Sequence, residues 1–242
     1  MENSDNIKTV TNPNEAMEQL VGEQFVEWLK EHIKHEFSHW PIIQGLSVAN
    51  LQPQKLRKLM IQWFFVQSAF WGSKEGDPGF LGFAIGNLSE SDDPEAETAL
   101  EILVTRKNQE QILQPQQHLF WHQLLLVLGA PEEEIQKTKP KEITRHYIAE
   151  LSDLYSNAAW QTVAGGLAAY DWIGNLINQV IIDLSKKAVL NPGSLEPKSN
   201  MDAGHLLEKT IFDPQNKHLV WLGTKKQLDL HQEFLIGLKK YL

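Results

Sequence analysis

Apolar residues recur at intervals of three and four along most of this chain, and nowhere do they alternate with polar residues over a useful length. That period belongs to helices with one face on a core rather than to strands. Met17, Leu20, Val21, Phe25, Trp28, Leu29, Ile33 and Phe37 form the first stripe. It predicts one helix that begins after Pro13-Asn14 and stops before Pro41, because proline disfavours helical backbone in the residue before it. QGLSVANLQ, residues 44–52, then reads as a loop.

Pro53 suits the first turn of a second helix, whose stripe is Leu56, Leu59, Met60, Trp63, Phe64, Gln67, Phe70 and Trp71. The cluster GSKEGDPG reads as a turn, and Phe80–Leu88 as a short helix. Ser91-Asp92-Asp93-Pro94, with Glu95 and Glu97 behind it, is a helix start. That helix is expected to run to about Leu113, to kink or restart at Pro115, and to end at Gly129. Further helices are expected over about Lys141–Ala159, through Ala158–Leu184, over a short piece at 201–211, and from Gln215 to Tyr241. The fold expected is all-α, a multi-helix bundle in a single domain over 13–242 behind a disordered leader at 1–12.

Composition narrows the functions. The net charge of −9 argues against nucleic-acid or anionic-membrane partners, which select basic patches. The absence of cysteine excludes disulfides, thiolate metal sites and thiol nucleophiles. MENSDNIKTVTNPNE has no apolar core of a signal peptide, and no apolar run is long and unbroken enough for a membrane span, so a cytoplasmic setting is expected. Eight tryptophans on several apolar helices leave room for a homo-oligomer.

Ala158–Leu184, a long stretch with few charges, carries Asp171 in its middle. A carboxylate in a core-like helix costs several kcal/mol unless it is partnered. Its neighbours at helical spacing are Ala164, Leu167, Ala168, Gly174, Asn175 and Asn178, an unusually small face, with Gly165 and Gly166 beside them. Two readings follow. Either the small face packs closely and Asp171 pairs with a cation such as Arg106 or Arg145, or Asp171 stands in the wall of a pocket. His118 and His122 lie one turn apart on an apolar helix, and His231 shares a stripe with Leu228, Phe234, Leu235 and Leu238. Imidazole at such spacing is a metal ligand in many helical sites and a hydrogen-bonded core residue in others. His32 and His35 fall among Lys and Glu and read as solvated. His118, Asp171 and His231 thus point inward from three helices, the usual form of a metal or cofactor site in a bundle.

Several stretches together resemble the heme-oxygenase-like superfamily, which includes thiaminase II, pyrroloquinoline-quinone synthase and the chlamydial protein associating with death domains. They are Ser38-His39-Trp40-Pro41 with GLSVANLQPQKL, Gln67 and Phe70, Ala84–Glu90, HLFWHQLLLVLGAP, and GGLAAYDWIGNLI. The chain looks most similar to cyanobacterial proteins of the death-domain-associating type. The resemblance implies an iron site held by His118, Asp171 and His231, with Glu110 near the first histidine. It implies Asp171 as the catalytic acid and a pocket bounded by Ala164, Ala168, Gly174, Asn175 and His122. Gln111, Thr224 and Leu228 stand where the family's di-iron branch has further ligands, so a single metal on two histidines and a carboxylate is the form expected. The activity implied is an oxidoreductase or oxygenase acting on a small apolar metabolite. The alternative is a non-enzymatic member with a decayed ligand set and no cofactor, which binds a small molecule or a partner protein.

Overall fold

The computed structural model describes residues 12–48, 53–72, 76–188, 206–208 and 214–240, and every element among them is helical. The expected leader at 1–12 therefore lies outside the described residues except for Asn12, as do positions 49–52 of the expected loop, residues 189–205 and most of the helix expected at 201–211.

The first apolar stripe is split into two helices, α1 (Pro13–Gln19) and α2 (Glu23–His39). The break falls at Gly22, whose φ of 50° only glycine adopts without strain. A fully buried lysine, Lys217, donates to the Leu20 carbonyl at 2.8 Å just beyond the end of α1. Pro41 does not open a loop: Pro41–Val48 forms α3, so proline there takes the first position of a new helix, where it has no N–H to lose.

Pro53–Trp71 is α4 and Gly79–Ser89 is α5. Helix α6 runs unbroken from Pro94 to Val127 and carries Pro115 on its exposed side. Its N-cap, Asp93, serves two elements: Oδ1 accepts from the Glu95 backbone N–H at 2.9 Å, and Oδ2 accepts from the Trp160 indole at 2.7 Å. A one-turn helix that the pattern did not signal, Glu132–Lys137, is α7. Glu142–Asn157 is α8; the buried Gln62 of α4 accepts from the Lys141 N–H and the Thr144 hydroxyl, fixing α8 against α4.

Trp160–Ala188 is α9 and Pro214–Lys239 is α10; this pair makes the most extensive contact in the fold. Its intimacy depends on glycine. A Cβ on Gly165 would fall on the Val220 carbonyl, and one on Gly223 on the Thr162 carbonyl. Thr224 donates its hydroxyl to the Gly165 carbonyl at 3.3 Å. The small residues in the first half of α9 therefore serve close helix packing. Helices α4, α5 and α6 pack against one another, α4 and α5 also reach α8 and α9, and α2 lies along α9.

Candidate functional site

The inward stripe of α6 begins apolar, at Ala96, Ala99 and Leu103, and continues at the same spacing with Arg106 and Glu110. Both charged side chains are buried. Facing them from α9 is Asp171, with Arg106 Nη2 at 2.6 Å from its Oδ1 and side-chain exposures of 4% and 10%. The Arg106 guanidinium also lies 5.2 Å from the Phe70 ring centroid. Burial works against its charge, but Asp171 beside it holds the guanidinium protonated above its ordinary range. Burial pushes the Glu110 carboxyl up; Arg106 opposes this, Asp171 adds to it, and hydrogen bonds from Trp71 and Gln117 oppose it.

These groups open on a cavity of about 70 Å³ between α4, α6 and α9. Its aromatic walls include Phe70, Trp71, Phe120, Trp121 and Tyr170, and its polar walls include Gln67, Gln117, Asn175 and Asn178. Phe70 and Tyr170 stack with centroids 5.0 Å apart and planes 1° from parallel. Gln67 donates to the Tyr170 hydroxyl at 3.3 Å, and Asn178 accepts from the Trp63 indole at 2.9 Å. Burial raises the Tyr170 phenol well above its ordinary range, so it stays a neutral donor. Two donors of Arg106, Nε and Nη1, are buried with no acceptor.

The residues singled out in the sequence separate into two groups. Asp171, Glu110, Gly174 and Asn175 border the cavity. Ala164 and Ala168 are buried in the core and are not part of the cavity's lining. His122 is turned to the surface, where Nε2 meets Glu132 at 2.9 Å. His118 sits between the rings of Phe64 and Trp71, at 5.3 and 4.9 Å, and burial lowers its pKa. His231 is enclosed: the Tyr147 hydroxyl lies 2.9 Å from its Nε2, and its Nδ1 lies 2.8 Å from the Gln227 side-chain nitrogen and 3.1 Å from the Gln227 carbonyl oxygen. Desolvation pushes His231 down to about 3, so it is neutral.

The residues present do not fit the iron centre that the resemblance implied. Asp171 has a guanidinium against it, which repels a second cation. His231 is committed to Tyr147 and Gln227. Among the described residues, no three His, Asp or Glu side chains come close enough together to hold a metal, and that includes His118, Asp171, His231 and Glu110. The expected confrontation of Asp171 with two histidines is replaced by its pairing with Arg106.

In the sequence Arg106 stands out only as a partner for Asp171, and of the aromatic walls only Phe70 and Trp71 do, as members of one helical stripe. The available signal was the stripe itself: an Arg and a Glu four residues apart that continue a run of buried alanine and leucine.

No protein-family profile matches the chain, and no curated protein matches it. Among solved structures, it is similar to a domain of unknown function with a heme oxygenase-like fold from Shewanella denitrificans. The TM-score is 0.60 at 16% identity, over 89% of this chain and 90% of that one. The chain therefore has the heme-oxygenase-like fold. No helix among the described residues is long and apolar enough to cross a membrane.

Proposed function

We propose that this protein is a metal-independent member of the fold that binds a small, uncharged, planar molecule in the cavity beside Arg106. The observation that carries the reading is the pair of buried Arg106 donors, Nε and Nη1, that have no acceptor. A buried donor without an acceptor costs about 1–3 kcal/mol; both are closed to water, so a ligand carbonyl recovers that cost only as the guanidinium turns toward the cavity that Arg106 lines. The ligand's charge follows from its surroundings. Asp171 already neutralises Arg106, and Glu110 borders the same space, so an anion would meet two carboxyl groups and a cation would meet the guanidinium. The flat aromatic walls favour a planar group. The volume holds roughly five water-sized units, which limits the part that enters to a small ring or amide.

This is the non-enzymatic alternative, in which the ligand set has decayed and binding remains. Kinship with the death-domain-associating type, and a cytoplasmic setting, belong to the proposal on the sequence resemblance and composition alone.

Ligand-observed NMR on EDTA-treated protein tests the reading with 2-pyrrolidinone and acetate as probes. Saturation transfer to pyrrolidinone, none to acetate, and loss of the pyrrolidinone signal in Arg106→Lys are expected. Binding that appears only after ferrous iron is added would return the site to metal chemistry.

A further inference from the structure

A second cavity, of about 390 Å³, lies between α7, the start of α8, the end of α10 and the first half of α4. It shares no lining residue with the cavity beside Arg106. Its size falls within the range of about 300–1,000 Å³ usual for small-molecule sites. Lys58, Lys141 and Lys240 border it, against one acid, Glu134. That acid is already answered by a neighbour: Arg57 Nη2 lies 3.0 Å from its carboxylate, while Nη1 donates to the Gly129 carbonyl at 2.6 Å. The cavity is therefore a positive spot on a chain whose net charge is −9.

Gln62 adds a directed donor to the same wall. It is 3% exposed, and its Oε1 accepts from the Lys141 N–H at 2.8 Å and from the Thr144 hydroxyl at 2.6 Å. A backbone N–H can only donate, so the oxygen is the end of the amide held by α8. The amide nitrogen is the end left over, and it donates to none of the described residues. A polar side chain buried this deeply ordinarily spends both ends of its amide. Ile61 and the lysine methylenes supply the apolar part of the wall.

We infer that this cavity binds an organic phosphate, a phosphate monoester on a small apolar body. Ammonium groups and an amide N–H together call for an anion with several acceptor oxygens. A phosphate monoester carries about −1.5 to −2 charge at neutral pH and three such oxygens. The apolar wall takes the body esterified to it, which inorganic phosphate lacks. The site is separate from the ligand reading at Arg106.

The test uses the full chain and phenyl phosphate, titrated calorimetrically at low ionic strength in a phosphate-free buffer. Saturable binding is expected, at least about tenfold tighter than that of inorganic phosphate and weakening as sodium chloride is raised. Benzyl alcohol, which keeps the ring and lacks the charge, should not bind. Lys58→Glu reverses an exposed charge at the rim and is expected to weaken binding by at least about tenfold. Gln62→Glu keeps an oxygen for Lys141 and Thr144, replaces the donor with an acceptor, and should weaken binding as much. Lys34→Glu makes the same charge change on the exposed side of α2, away from the cavity, and should bind like the wild type. Arg106→Lys should leave phenyl phosphate bound while losing pyrrolidinone, so the two sites fail separately. If Gln62→Glu loses its helical circular dichroism, Lys58→Glu decides alone. A wild type that does not bind, binding unaltered in Lys58→Glu, or benzyl alcohol bound as tightly as phenyl phosphate would overturn the proposal.

Discussion

Arg106 on α6 and Asp171 on α9 meet at 2.6 Å inside the bundle, with both side chains almost fully removed from water. Removing one member of a buried pair strands the other charge and costs about 3–5 kcal/mol, whereas removing both leaves no uncompensated charge. Arg106→Met and Asp171→Asn are each expected to destabilise the fold by about that amount in urea unfolding. The double variant should lose clearly less than the sum of the two. Strict additivity would show that the two side chains do not depend on each other.

His231 makes stability fall in acid. Its ordinary pKa of 6.5 is lowered to about 3 in the folded protein by burial. Between those values the unfolded chain binds the proton and the folded one does not, so stability is intact above the upper value and declines as pH falls toward the lower. The slope is at most about 1.4 kcal/mol per pH unit. Urea titrations from pH 7 to 4 should show a shallower loss for His231→Gln than for wild type. Parallel curves would mean that His231 is not the source of this pH dependence.

Glu110 acts in the opposite direction. Burial raises its folded pKa above 4.5, so the folded state disfavours the ionised form and stability is lost as pH rises through the folded value. Glu110→Gln keeps the shape and the acceptor for Trp71 and Gln117. It should melt with the wild type at pH 4 and above it at pH 8. Equal melting temperatures at both pH values would count against a desolvated carboxyl.

Two glycines of α9 should respond to alanine with opposite signs. A Cβ at Gly165 would collide with the Val220 backbone, so Gly165→Ala should cost at least about 1–3 kcal/mol through overpacking. At Gly174 the added carbon would rest 3.9 Å from Trp63, an ordinary contact. Gly174→Ala should therefore gain up to about 1 kcal/mol of helix propensity while narrowing the cavity it borders. Thermal melts of both variants, with pyrrolidinone binding measured on the second, check the pair.

The helical period made the fold class readable, and most boundaries with it. Asp93-Pro94 marked the start of α6 because a side-chain cap and a proline at the first turn are both local chemistry. What escaped was non-local. The split between α1 and α2 depends on Gly22 taking a positive φ, and a lone glycine in an apolar stripe does not announce that. Pro41 could end one helix or begin the next, and only packing decided it. At the site, the sequence showed that Asp171 needed a partner but offered two histidines and two arginines for the role. His231 was drawn instead to Tyr147 and Gln227, and His122 to Glu132, each through a contact between residues remote or unremarkable in sequence. The small face of α9 was read as either close packing or cavity. It is both, with Gly165 serving the first and Gly174 the second.

The central claim is that Arg106, rather than a metal, organises this cavity and meets its ligand through donors that are free in the protein alone. The most direct measurement is the side-chain ¹H–¹⁵N correlation of Arg106 Nε, assigned by its loss in Arg106→Lys and followed as 2-pyrrolidinone is added in EDTA. A saturable shift of that signal, with acetate producing none, is the result predicted; a signal that stays in place with pyrrolidinone and moves only when ferrous iron is supplied would contradict it.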